Sequence, residues 1–106
     1  MKISIITVCL NSENTIISTL NSVLSQTYKN IEHIIVDGGS TDNTLNIIEG
    51  LKHKIKIISF TRNFGHQMAI TAGIDLCKGD FVALLDADLQ DPPKYIQTML
   101  EMCLEN

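Results

Sequence analysis

The sequence predicts an α/β fold: an open, mainly parallel, doubly wound sheet in the strand order 3-2-1-4, with helices on both faces. Three observations carry this. Short apolar, β-rich runs alternate four times with segments of helical periodicity. Each run stops at polar or glycine residues, and strands separated by helices pair in parallel through right-handed crossovers. The first, second and fourth runs are nearly continuous apolar stretches, as expected when helices cover both faces of a strand.

The elements follow in order. Ile3–Val8 is the first strand, ended by Asn11-Ser12. Ile16, Ile17, Leu20, Val23 and Leu24 share one helix face, and Asn11 or Ser12 is placed to cap that helix. Ile31–Val36 is the second strand, stopped by Asp37-Gly38-Gly39-Ser40; Thr41 or Asp42 then caps a helix bearing Leu45, Ile48 and Leu51. Ile55, Ile57 and Ile58 mark the third strand, and the loop from Thr61 to Gly65 leads into a helix from His66 to Cys77, with Gly79 as its C-cap. Phe81–Leu85 is the fourth strand. Asp91 caps a last helix with Pro92 in its first position, and its apolar face is Ile96, Met99, Leu100, Cys103 and Leu104.

Bulk properties narrow the function. The 106 residues suffice for one domain, 1–106, with one core. Eight basic and twelve acidic residues give a net charge of −4, with no basic stripe to neutralise phosphates, so no nucleic-acid partner is expected. Cys9, Cys77 and Cys103 are scattered and form no C-x-x-C pair, which argues for reduced thiols in a cytoplasmic protein rather than disulfides or a zinc site. No apolar run approaches the ~18 residues of a membrane span. The start, Met1 to Leu10, lacks a small-residue cleavage site and reads as a strand rather than a signal peptide.

Open parallel sheets bind ligands beyond the carboxyl ends of their strands. Those ends carry Asn11, Ser12 and Glu13; then Asp37 and its glycines; then Arg62, Asn63 and Gly65; then Asp86, Asp88, Gln90 and Asp91. Asp86 and Asp88, two apart in an extended segment, lie on one side, and their mutual repulsion calls for a cation. Hard oxygen ligands favour Mg2+ or Mn2+ over zinc, and a diphosphate could complete the shell. Asp91 is better read as a helix cap. Asp37 fits two roles, an acceptor for a base N–H or ribose hydroxyl, or a turn-forming Asx residue. Arg62 pairs with a phosphate or lies in solvent. Gly65 permits either close backbone approach or an unusual φ at the helix entrance. His66 reads as a surface residue, and His33 and His53 as structural or exposed. No glycine-rich G-x-G-x-x-G motif or P-loop follows the first strand, and nothing marks a partner for a strand-end Asp nucleophile.

These residues resemble a known family. Ile3-Ser-Ile-Ile-Thr-Val-Cys-Leu-Asn-Ser-Glu13, Val36-Asp-Gly-Gly-Ser-Thr-Asp-Asn-Thr44 and Asp86-Ala-Asp88 together resemble the family-2 glycosyltransferases of the GT-A fold, across essentially the whole chain. Thr61-Arg-Asn-Phe-Gly-His-Gln-Met-Ala69, Thr71-Ala-Gly73 and Asp86-Ala-Asp-Leu-Gln-Asp-Pro-Pro93 are similar to the polyprenyl-phosphate and dolichyl-phosphate sugar synthases. Asp37-Gly-Gly replaces that branch's usual Asp-Asp-Gly and looks more like bacterial polysaccharide transferases. Val8 and Leu10 stand where many members have Pro and an aromatic residue, which leaves no aromatic there to stack on the base.

The resemblance implies a metal-dependent, inverting transfer of sugar from a nucleotide-sugar donor to a lipid-phosphate or glycan acceptor. It implies that Asp37 contacts the base, that Arg62 to Gly65 lie near the diphosphate, and that Asn11 and Glu13 belong to the donor site. Asp86 would bridge ribose and metal, Asp88 would ligate the metal and Gln90 would assist. A lipid acceptor would place the protein at the inner face of a membrane. Members continue into an acceptor-binding half that carries the catalytic base, so the domain is expected to be incomplete at its C-terminus and no base is named. The alternative is a truncated, non-catalytic nucleotide-binding module. In either case Phe81–Leu85 would form an unprotected edge, without lysine, proline or charge, that invites a homodimer through strand four.

Overall fold

The computed structural model describes residues 2–87 and 93–104. Strands β1 (Ile3–Cys9), β2 (Ile31–Asp37), β3 (Lys56–Ser59) and β4 (Phe81–Asp86) form one sheet in the order β3-β2-β1-β4, with every pairing parallel. Helices α1 (Ile16–Leu24), α2 (Thr44–Glu49), α3 (His66–Leu76) and α4 (Pro93–Leu104) intervene as the periodicity predicts. The expected strand order and helix alternation are both present.

The period-two alternation of the strands divides the core. Ile3, Ile5, Ala83 and Leu85 point to one face, where they meet Val23 of α1 and Leu100 of α4. On the same face Cys9 and Ile35 meet Ile16 and Leu20 of α1 and Ile48 of α2. Ile6, Ile34 and Val36 point to the other face and meet Ala69 of α3. Each fully buried isoleucine contributes about 1.5–3 kcal/mol relative to exposure.

For β4 the expected two-sided cover holds on one side only. Ala83 and Leu85 are buried, whereas Val82 and Leu84 are 45% and 53% exposed. The reason is that α3 packs over β1 and β2 and is the helix of that face among the described residues.

Three helix-end expectations are corrected. Neither Asn11 nor Ser12 caps α1 through its side chain; the Ser12 carbonyl accepts from Thr15 and Ile16 instead. Gly79 is not a left-handed C-cap, since α3 ends at Leu76 with Cys77 extended. A Cβ at Gly79 would meet Ser4 Oγ at 2.5 Å, so that glycine serves close approach to β1. Neither Thr41 nor Asp42 is the N-cap of α2: that position is Asn43, without a side-chain cap bond, and Asp42 Oδ1 accepts from Thr44 N at 2.9 Å in the turn that leads into the helix.

Two buried polar groups escape any sequence pattern. Glu32 accepts from Lys56 Nζ at 2.8 Å, from Ser4 Oγ and from Lys78 N, tying β1, β2, β3 and the α3–β4 turn together. His33 Nε2 lies 2.7 Å from Thr7 Oγ1, while among the described residues its Nδ1 has no partner.

Candidate functional site

The parallel register brings the strand ends to one edge. Cys9 pairs with Asp37, Asp37 with Ser59, and Val8 with Asp86. The loops after β1, β2 and β3 therefore rise side by side, and Asp86 closes β4 beside them. Asp88 and Gln90, the other expected metal ligands, and Asp91, the expected cap, lie outside the described residues.

The turn after β2 packs directly on the loop after β3. Gly39 has φ +98°, and a Cβ there would stand 2.5 Å from the Arg62 carbonyl carbon and 2.8 Å from Asn63 N. A side chain is thus excluded twice, by conformation and by space. The two loops are further joined through Phe60 N, which donates to the Asp37 carbonyl at 2.9 Å.

Asp37 is 1% exposed. Its Oδ1 accepts from Ser40 N at 3.3 Å and from Ser40 Oγ, so the turn-forming role is present. Among the described residues its Oδ2 takes no hydrogen bond. Asp37 thus braces the turn with one oxygen and keeps an unengaged acceptor in the other.

Asn11 and Glu13 face the same loop from the β1 side. Asn11, at φ 51°, accepts through Oδ1 from Thr41 N at 2.8 Å and from Asp42 N at 3.3 Å. Glu13 Oε2 accepts from Asn43 N at 3.3 Å. Both side chains are engaged as braces of the 40–43 segment. Asp42 lies in the same web, and the hydrogen bond from the Thr44 hydroxyl holds its carboxyl below the usual range.

A cavity of about 240 Å³ opens between these loops and α3. Its walls are Val8, Cys9 and Leu10 from β1, Gly38 from the β2 turn, Asn63 and Gly65 from the β3 loop, and His66 and Ala69 from α3. It is smaller than the ~300–1,000 Å³ of whole-ligand pockets, so it takes one ring or group of a ligand. Of the expected site residues, Asn63 and Gly65 line it; Asn11, Glu13 and Asp37 do not, and Asp37, paired with Cys9, points with Cys9 and Ile35 to the α1–α2 face of the sheet. Cys9 and Ala69 are lining residues that the sequence reading missed; Cys9 lay just past the expected strand end at Val8, and β1 continues to include it.

Gly65 has φ +94° with nothing near its missing Cβ, so of its two expected roles the unusual φ is the one adopted. Asn63 Oδ1 accepts from Gly65 N at 2.8 Å and closes the turn into α3. No side chain caps α3, so its N-terminal amides remain turned toward the loop that carries Arg62, an arrangement favourable to an anion. Arg62 is exposed, and its Cζ lies 4.8 Å from the centre of the Phe64 ring.

The fold and this edge define the class: an open parallel α/β domain whose ligand cleft lies beyond the carboxyl ends of its strands. The chain belongs to glycosyl transferase family 2, which it matches over residues 4–106. It is 46% identical over 85 residues to YkcC of Bacillus subtilis (strain 168), described as an uncharacterized glycosyltransferase; the match covers 77% of this chain and 26% of that protein. It is 34% identical over 94 residues to the undecaprenyl-phosphate 4-deoxy-4-formamido-L-arabinose transferase of Aeromonas hydrophila, covering 85% of this chain and 29% of the other. In three dimensions it is similar to S. aureus TarS 1-349 in complex with UDP-GlcNAc, with a TM-score of 0.84 and 29% identity over 99% of this chain and 32% of that one. The sheet is accordingly that of the GT-A glycosyltransferases, and the chain spans about a quarter to a third of the length of these relatives. Among the described residues no helix is long and apolar enough to cross a membrane.

Proposed function

We propose that this chain holds the nucleotide-sugar donor of a metal-dependent, inverting glycosyltransferase. The observation that carries the reading is the flush carboxyl edge. There the cavity, the uncapped start of α3, Asp86 and the turn that Asp37 begins share one end of the sheet. The base would lie across the ends of β1 and β2, with the cavity on one side and Asp37 on the other, and hydrogen-bond to Asp37. The diphosphate would lie over the Arg62–Gly65 loop and the first turn of α3. Similarity to a structure that contains UDP-GlcNAc supports a uridine nucleotide as the first ligand to try.

Asp86, Asp88 and Gln90 would hold Mg2+ or Mn2+. The donor set fits, since carboxylate and amide oxygens suit a hard cation and Asp86 closes β4 at the correct edge. The cation would supply charge neutralisation for the departing diphosphate. In the reaction the acceptor oxygen attacks the anomeric carbon, the bond from that carbon to the diphosphate oxygen breaks, and the configuration inverts. The chain's own contribution is to bind and orient the donor and to stabilise the leaving group. The acceptor site and the base that takes the acceptor's proton would come from the part of the relatives that this chain does not span. A lipid-phosphate acceptor, which would place the reaction at the inner face of a membrane, is supported in its chemistry by the undecaprenyl-phosphate relative, and a glycan acceptor by the resemblance of the first half of the chain.

The test uses Asp37→Asn, which keeps Oδ1 for Ser40 but turns the unengaged acceptor into a donor. Binding of UDP in the presence of Mn2+ is expected to weaken about tenfold, with the unfolding midpoint close to the parent's. If Asp37→Asn binds as tightly as the parent in calorimetry, Asp37 is a loop brace only.

A second copy of the chain is also proposed as a partner through β4. Among the described residues β4 pairs on one edge only, and Val82 and Leu84 on its bare side are exposed. Light scattering after size exclusion is expected to show a dimer whose fraction rises with concentration. A monomer at every concentration, with slowly exchanging β4 amides, would overturn the pairing.

A further inference from the structure

The loop between β3 and α3 carries a stack of three side chains that the donor-site reading leaves unexplained. Phe60 is partly buried against the cluster of Val36, Ile34 and Ala69. Phe64 meets it edge-on, with ring centroids 5.6 Å apart and planes at 89°. On Phe64 sits the guanidinium of Arg62, 4.8 Å from the ring centre. Phe64 is 45% exposed, so burial alone does not account for a large apolar residue there.

The geometry offers an account. A solvent-exposed arginine has many rotamers, and a phosphate contact must order it. Here both ends of Arg62 are already held. Its backbone packs against Gly39, where no side chain fits, and its head rests on an aromatic face. The face of a phenyl ring is electron-rich and attracts a cation, while an edge-to-face neighbour fixes the ring's own plane. Asn63, bonded to Gly65 N, closes the turn that brings Phe64 beneath Arg62.

We propose that Phe64 is a positioning residue, seated on Phe60 and holding the Arg62 guanidinium ready for the donor diphosphate without touching the donor itself. The proposal rests on the reading of this edge as the donor site. It assigns Phe64 a role exerted wholly through Arg62, and that can be measured.

The experiment is a double-mutant cycle on the chain, titrated with UDP and Mn2+. Phe64→Leu, which keeps bulk and removes the ring, is expected to weaken binding about two- to fivefold, and Phe64→Trp to restore it. In an Arg62→Ala background, Phe64→Leu is expected to cost nothing further. An equal loss in that background would mean that Phe64 acts on the nucleotide or the fold directly, which overturns the proposal and leaves the donor site standing. If Arg62→Ala binds UDP as the parent does, there is no diphosphate contact for Phe64 to position. A parent chain that binds no UDP removes the donor-site reading and this proposal together. A ligand-free measurement separates the stack from the binding: the Arg62 side-chain protons should show an upfield ring-current shift that disappears in Phe64→Leu. If the parent lacks that shift, the stack does not exist in solution and the proposal fails whatever UDP does.

Discussion

Replacing Glu32 by Gln is expected to remove about 2–3 kcal/mol of stability near neutral pH, and most of that difference should vanish in strong acid. Burial by itself would raise the Glu32 carboxyl, but hydrogen bonds from Lys56, Ser4 and the Lys78 amide overcome this and bring it from 4.5 down to about 2. An unfolded chain takes up the proton near 4.5, whereas the folded chain resists until about 2. The contribution is therefore complete above 4.5 and is lost as pH falls through that window. The Lys56 share is reduced by solvent screening, because that side chain is 40% exposed. His33 adds an earlier limb. Burial lowers it from 6.5 to about 4, so the unfolded imidazole charges first and stability declines as pH falls between those values. Denaturant unfolding at a series of pH values checks both limbs: His33→Gln should flatten the upper one and Glu32→Gln the lower. A Glu32→Gln deficit of the same size at about pH 2 as at about pH 7 would show that the loss is one of packing and not of charge.

Asp88→Asn is expected to cost roughly ten- to a hundredfold in nucleoside diphosphate affinity, about 1.5–3 kcal/mol, and to remove its dependence on divalent metal. The expectation comes from the sequence, where Asp88 follows Asp86 by two residues, and from the register that sets Asp86 opposite Val8 at the edge of the cleft. Charge-assisted contacts are the ones lost, since a neutral amide oxygen can still ligate a hard cation but no longer brings the carboxylate's negative charge. Calorimetry with UDP, with and without Mn2+, decides the matter. Equal binding by Asp88→Asn and the parent in Mn2+ would falsify the metal assignment. Binding by the parent that is unchanged by a chelator would reject metal dependence as a whole.

The alternation of strands and helices, and the end of the sheet that carries the candidate site, were legible in the sequence because both are encoded locally. A short, nearly continuous apolar run stopped by a glycine turn makes Ile31–Val36 a strand, and the spacing of Ile16, Leu20 and Val23 makes Ile16–Leu24 a helix. Their alternation leaves few topologies, and any parallel topology puts Asp37, Arg62 and Asp86 at one end. Gly39 and Gly65 were visible as glycines in loops. An unusual φ was one of the two roles open to Gly65; that the Arg62 backbone leaves no room for a Cβ at Gly39 was not legible, because that neighbour comes from a distant part of the chain.

By itself, then, the sequence determined the alternating strands and helices, the parallel sheet and the spacing of Asp86 and Asp88, all of which follow from spacing along the chain, while the order 3-2-1-4 came with the family resemblance. Tertiary structure decided what each polar side chain does there. Asn11 and Glu13 sit at the correct strand end yet spend their acceptors on the amides of Thr41, Asp42 and Asn43, because parallel pairing of β1 with β2 sets those loops side by side. Glu32, with no motif to announce it, gathers Ser4, Lys56 and Lys78 from three other segments of the chain. Val82 and Leu84, which read like core residues, lie bare because α3 settles over β1 and β2. Periodicity fixes which way a side chain points, but only the packed neighbours fix what it meets.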